Sequence, residues 1–223
     1  MTLFFLSAIP AIAFLLYGFL LYITWRHGLE RRTNRSFVLY LLSMMVWSLG
    51  ALMMYVDRDN APAWNRVMVS GVMVMPMAFF SFVQAFHPQE KYQRLLPIAV
   101  LLCLIMLVLA AGGYMAGDIR ISETGLIDFE WGPGIPFFAV YFFSLISLSA
   151  LSLRKGLIES RDYIARNRSR YVMLGLAFIV LGGLTNLVGN LGAYPIDIAA
   201  NGINALILAY TIFRYNLLDI TVV

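Results

Sequence analysis

Seven stretches of the chain run almost without polar interruption, at residues 3–25, 36–56, 64–86, 95–115, 135–153, 171–191 and 198–213. Each is near the ~20 residues that a helix rising about 1.5 Å per residue needs to cross a hydrocarbon layer ~30 Å thick. A closed β-barrel requires instead segments of about ten residues with alternating polarity. The stretch 95–115 is nearly continuous Leu, Ile, Val, Ala and Met. The pattern therefore predicts an all-α integral membrane protein, a single domain over residues 1–223 built as a seven-transmembrane helix bundle. Nothing charged precedes the first stretch and no small-residue cleavage pattern follows it, so it reads as a retained helix and not as a signal peptide. The seventh is the shortest, and Pro195 falls in the tight connection before it.

Two connections are more than minimal. Residues 116–134, AGDIRISETGLIDFEWGPG, alternate Ile119 and Ile121 with polar neighbours and pass Glu123-Thr124-Gly125 before continuing to Glu130. They read either as the two arms of a hairpin lid or as an irregular loop. Gly132-Pro133-Gly134 then breaks the chain directly before the fifth span. Residues 154–170 extend spans five and six beyond the bilayer as helix. There Lys155 stands four before Glu159 and Asp162 four before Arg166, and only the second pair has the acid-first order that helices favour.

Composition narrows the class. With 61% hydrophobic and 13% charged residues and a mean hydropathy of +0.80, a disulfide scaffold, a disordered tail and an ordinary cytosolic enzyme are excluded. Thirteen of the sixteen Lys and Arg fall in the first, third and fifth connections and after the last span, at Arg26, Arg31, Arg32, Arg35, Lys91, Arg94, Arg154, Lys155, Arg161, Arg166, Arg168, Arg170 and Arg214. The other side holds Arg58, Arg66 and Arg120 against seven acids. This bias predicts the N-terminus outside and the C-terminus in the cytoplasm. The basic rim meets lipid headgroups, and no motif or folded basic domain argues for nucleic acid.

The chemistry that can be ruled out is substantial. Lys91 and Lys155 are the only lysines and both lie in connections, so no amine is available for a retinal Schiff base on the seventh span. His27 and His87 sit at cytoplasmic span ends, which leaves bis-histidine haem without ligands in the bilayer and makes a zinc site a poor reading. Cys103 has no partner for an internal disulfide and reads as a small buried hydrophobe. No G-x-S-x-G, H-E-x-x-H, Walker A or G-x-G-x-x-G pattern appears. No catalytic residue, metal or cofactor is expected.

A polar cluster remains near the outer rim. Arg66 falls in the first turn of the third span, where it either snorkels to the interface or points inward. Asn186 and Asn190 are four apart near the end of the sixth span, and Asp197, Asn201 and Asn204 share one side of the seventh. Amides and a carboxylate facing lipid are expensive, so they either bond helix to helix or line a pocket. Arg66, Asn186, Asn190, Asp197 and Asn201, with Trp131 in the outer loop as cover, form the candidate ligand site, and its ligand is small and polar or amphipathic. Tyr55, Tyr114 and Tyr194 are either further lining or aromatic belt. Pro76, ten residues beyond Arg66, and Gly182-Gly183 mark weak or close-packed points.

Three runs carry a family resemblance: GLIDFEWGPG from Gly125 to Gly134; Arg168-Ser169-Arg170-Tyr171 followed by Leu174-Gly175 and Gly182-Gly183; and AYTIFRYNLLDI from Ala209 to Ile220. On these the chain resembles, over almost its whole length, the N-terminal seven-helix sensor region of bacterial histidine kinases and of some cyclic-dinucleotide enzymes. The resemblance implies a multi-pass protein of the bacterial cell membrane, usually a homodimer. It also implies a stimulus passed through the seventh span to a cytoplasmic signalling module in cis or in trans. The output would then lie at Arg214, Tyr215, Leu218 and Asp219, in residues 214–223 that begin a cytoplasmic linker. Leu217, Leu218 and Ile220 would offer an apolar continuation for a downstream helix or a second protomer to cover. Up to Val223 there is no H-box histidine, ATP-binding domain or cyclase motif, so the chain is expected to be no enzyme as it stands, either a piece of a longer protein or a unit with a separate partner. A small solute transporter and a membrane scaffold remain as alternatives.

Overall fold

The computed structural model describes residues 2–26, 28–121, 127–186, 188, 194–215 and 218. Its helices are α1 (Thr2–Arg26), α2 (Arg32–Val56), α3 (Ala61–Phe86), the single turn α4 (Glu90–Gln93), α5 (Leu96–Ala111), α6 (Ile135–Glu159), α7 (Tyr163–Thr185) and α8 (Ile196–Tyr215). A 3-10 turn, Arg58–Asn60, links α2 to α3. Six of them, α1, α2, α3, α6, α7 and α8, and the α4–α5 segment Glu90–Ala111 taken together are long and apolar enough to cross a membrane, so the protein is a helical bundle with seven candidate spans and a membrane location. Between α5 and α6 lies an antiparallel pair, β1 (Ala116–Ile121) and β2 (Ile127–Trp131), with Ile119 opposite Phe129 and Ala116 opposite Trp131. The turn at Glu123-Thr124-Gly125 lies outside the described residues.

Local chemistry sets the helix ends. Prolines occupy the first turns of α3, α5 and α6, where a missing N–H costs nothing. Asp162 caps α7 by accepting from the backbone N–H of Ile164 and Ala165, each at 3.1 Å, so its carboxylate serves the helix terminus. Lys155 and Glu159 approach to 3.9 Å on the exposed end of α6. Some bounds differ from the hydropathy pattern. The run 95–115 is helical only to Ala111, because Gly112 caps it and Gly113 takes φ +79°, a left-handed conformation that glycine adopts at no steric cost. The sixth span begins at Tyr163 and ends at Thr185, with Asn186 as its C-cap.

Six of the long helices close a ring in the order α1, α2, α3, α6, α7, α8, with α8 packing back on α1. Its core interlocks Phe37 with Phe82 and Tyr40 with Phe79, ring centroids 4.9 and 5.4 Å apart. The α2 and α3 backbones touch at two glycines: a Cβ on Gly50 would stand 2.5 Å from the Met68 nitrogen, and one on Gly71 2.6 Å from the Ser43 carbonyl. Close approach at small residues is how helices gain contact where lipid competes equally for apolar surface. α5 stands outside the ring on α3, through Met73, Met77, Phe80, Cys103 and Met106. Tyr141 on α6 donates to the Met73 carbonyl at 3.1 Å, near Pro76. Ile127 of the hairpin is buried in the ring's core.

Candidate functional site

α8 carries a buried stripe along its length. Ile198, Asn201, Asn204, Ala205, Leu208, Thr211 and Ile212 all face protein, at the spacings of three and four that place side chains on one helix face. Its polar members fall there because a primary amide in lipid has no partner. At the hairpin end, the Asn186 amide donates to Asp197 Oδ2 at 3.0 Å and the Ile198 N–H donates to Asp197 Oδ1 at 2.8 Å. Tyr55 is buried at the end of α2. Gly182 makes this contact fit, since a Cβ there would meet Ala200 Cβ at 2.5 Å and Asp197 Cα at 3.1 Å.

One turn deeper, the Tyr17 hydroxyl of α1 donates to the Asn201 carbonyl at 2.5 Å. Asn204 Nδ2 donates to the Tyr40 hydroxyl of α2 at 2.6 Å, while its Oδ1 lies against Gly175 of α7. All four residues are buried, yet among the described residues the Oδ1 atoms of Asn201 and Asn204 have no hydrogen-bond partner, and neither has Asn65 Oδ1 on α3. An unpaired buried carbonyl costs about 1–3 kcal/mol, so these oxygens hold unused capacity to accept a hydrogen bond.

At the opposite, basic end, Arg168 Nε donates to the Tyr215 carbonyl at 2.7 Å. The Tyr171 ring packs on Tyr210 and Tyr215 at 5.1 and 5.3 Å. Nearby, Gly156 of α6 lies against the His87 ring and the Ser169 hydroxyl, and Gln89 donates to the Ser152 carbonyl and hydroxyl at 3.3 and 3.2 Å. Burial holds the His87 imidazole below its ordinary range, with the Glu159 charge opposing and the Lys155 charge assisting.

Residues 9–221 match the family model described as the N-terminal 7TM region of histidine kinase. The chain belongs to this family. No curated protein matches it. The matched region of these histidine kinases is the membrane sensor part, which carries no catalytic kinase domain.

Within this 7TM region of the histidine-kinase type, the geometry sorts the candidate residues. Asn186 and Asp197 are brought together, and Asn201 lies a turn below them, engaged through its backbone with α1. Arg66 is exposed, as in the snorkelling arrangement, and Trp131 is 55% exposed. Asn190 lies outside the described residues. Of the output residues, Arg214 is exposed, Tyr215 is held by Arg168, and Asp219 is outside the described residues. Leu218 is 2% exposed in the bundle's own core. That corrects the expectation that it offers a free apolar surface, since this chain already covers it. The tyrosines that meet the amides, Tyr17 and Tyr40, and the buried Asn65 were not singled out, because a tyrosine within an apolar run gives no signal of its partner. Among the described residues no group of three or more His, Cys, Asp or Glu converges as a metal site.

At the hairpin end, the turn between α2 and α3 is fixed by Asp57. Its carboxylate accepts from Trp64 Nε1 at 2.9 Å and from Asn60 Nδ2 at 3.0 and 3.1 Å. These bonds, the indole's first, hold the Asp57 carboxyl below the usual range. The hairpin end therefore presents a fixed anion at the rim and an amide-bonded carboxylate, Asp197, inside it. Such an arrangement can accept hydrogen bonds or attract a cationic group; among the described residues it brings no nucleophile together with a base.

Proposed function

We propose that this chain is the sensory membrane unit of a bacterial signalling protein of the kinase type, with its N-terminus and hairpin outside and its C-terminus in the cytoplasm. The orientation is supported by the thirteen-to-three division of basic residues under the positive-inside rule. A small polar or amphipathic ligand enters from the hairpin side and meets Asn186, Asp197 and Asn201, with Arg66 and Trp131 at the rim; Asn190 joins this set on sequence grounds alone. Binding biases the position of α8, whose end at Arg214 and Tyr215 leads to the cytoplasmic module, in a homodimer.

The observation that carries this reading is the buried polar stripe of α8, which runs from the Asp197 contact to the Arg168–Tyr215 contact, about 27 Å along the helix axis. A ligand changes output only if it binds two conformations with different affinity, and a helix engaged at both ends is the direct carrier of such a difference. With the chain joined to a downstream kinase module, a two-residue insertion after Phe213 turns the output by roughly 200°. Regulation should then be disrupted with ligand affinity preserved. Unaltered regulation would count against a helical output, and solute flux by the chain in liposomes would count against sensing itself.

A further inference from the structure

α8 is tied very unequally to its neighbours. To α7 it is joined at five levels: Asp197 with Asn186, Ala200 with Gly182, Asn204 with Gly175, Tyr210 with Tyr171, and Tyr215 with both Tyr171 and Arg168. To α1 and α2 its polar ties among the described residues are made by tyrosine hydroxyls, Tyr17 donating to the Asn201 carbonyl and Tyr40 accepting from the Asn204 amide. Among the described residues Asn201 Oδ1 is buried without a hydrogen-bond partner on the residue whose backbone carbonyl Tyr17 now uses, whereas the likewise unpaired Asn204 Oδ1 is turned to Gly175 of α7.

We infer that α7 and α8 move as one rigid pair against α1 and α2. Tyr17 and Tyr40 form the latch of that slip plane, and the orphaned Asn201 carboxamide oxygen serves as the acceptor for its second register. The Tyr17 phenol donates, and if it leaves its present partner in an apolar interior it must find another acceptor or bear the cost of an unpaired donor; the Asn201 side-chain oxygen, buried on the same residue, provides one. Two discrete registers, each with the Tyr17 hydroxyl paired, are what a bistable element requires. As the means by which the hairpin end controls the output, this rests on the sensory reading above; as mechanics of the bundle, it does not.

The test uses the full chain with Cys103→Ala, in nanodiscs of mixed phosphatidylcholine and phosphatidylglycerol, with spin-label pairs on exposed positions. Leu174 with Leu206 reports α7 against α8, and Phe19 with Leu206 reports α1 against α8. Replacing Tyr17 and Tyr40 by Phe keeps both rings and removes the latch. The Phe19–Leu206 distance should broaden or shift by about 2 Å or more, the scale of helix shifts in switching proteins, while Leu174–Leu206 stays unchanged. The inference is overturned if both distances move together or if Phe19–Leu206 does not move. Should the double variant fail to fold, Tyr17→Phe alone, which keeps the Tyr40–Asn204 bond, is read by the same two outcomes. Neither ligand nor output module enters this measurement. A confirmed slip plane together with solute flux by the chain in liposomes would therefore sink the sensory reading and leave this one standing.

Discussion

The span Glu90–Ala111, made of α4 and α5, and the span α8 both reach membrane length, and their fates are opposite. The α4–α5 span is the more apolar, with a mean hydropathy of 2.6 over its best window against 1.5 for α8, yet only 22% of that window is buried against 44% in α8. In a water-soluble protein the more apolar helix would be the inner one. Here lipid is as apolar as leucine, so α5 loses nothing by standing outside the ring. α8, with Asn201, Asn204 and Thr211 on one stripe, must turn that stripe toward partners. Between these two, polarity and not hydrophobicity marks the more buried helix.

The largest expected effect breaks the packing that this burial depends on. Gly182→Leu places a side chain where a bare Cβ already meets Ala200 Cβ at 2.5 Å and the Asp197 backbone at 3.1 Å, and backbone cannot swing aside as a flexible side chain can. The loss should be about 3 kcal/mol or more, measured by steric-trap unfolding in bicelles. On α5, Leu104→Ala trims a side chain that is 54% exposed to lipid and should change stability by less than about 0.5 kcal/mol. Comparable losses from both would refute the contrast.

A smaller effect sharpens it, because its sign runs against hydropathy. Asn204→Leu makes α8 more apolar and yet should destabilise the bundle by about 1 kcal/mol. It removes the bond to Tyr40, leaves that phenol without its amide and crowds Gly175. The same unfolding assay decides it: a stabilised variant would mean that the stripe is buried by its apolar members alone.

This contrast also explains what could be read in advance. The seven spans were legible because lipid permits no polar interruption, and the α8 stripe was legible because its amides recur at spacings of three and four. Gly182-Gly183 reads from the sequence as either a close-packed or a weak point; among the described residues a Cβ on Gly182 meets α8, and one on Gly183 meets nothing within 4 Å. The ring order was not legible, since a residue facing lipid and a residue facing a helix are both apolar. Nor were Tyr17 and Tyr40, whose partners lie 184 and 164 residues away. The run 171–191 concealed the end of α7 at Thr185, because hydropathy continues past the point where the helix stops.

The smallest effect lies beyond the spans, at His87, where the same rule can be tested by titration. The ring is half-buried at the end of α3 against Gly156 of α6, with the Ser169 hydroxyl of α7 on the same glycine. Burial lowers its pKa, and the two flanking charges on α6, Glu159 and Lys155, act in opposite directions. A histidine whose folded pKa lies below its unfolded value of about 6.5 contributes stability that is fully present above that value and is lost as pH falls through the folded one. Acidification from about pH 7.5 to about 5.5 should therefore lower the melting temperature through the α3–α6–α7 junction. His87→Gln should flatten this dependence, while Leu104→Ala on α5 should leave it as in the parent chain. The His87 imidazole should titrate by NMR below the ordinary histidine value. A midpoint above that value would mean that the Glu159 charge outweighs burial, and stability would then rise on acidification and be lost as pH climbs through the folded pKa.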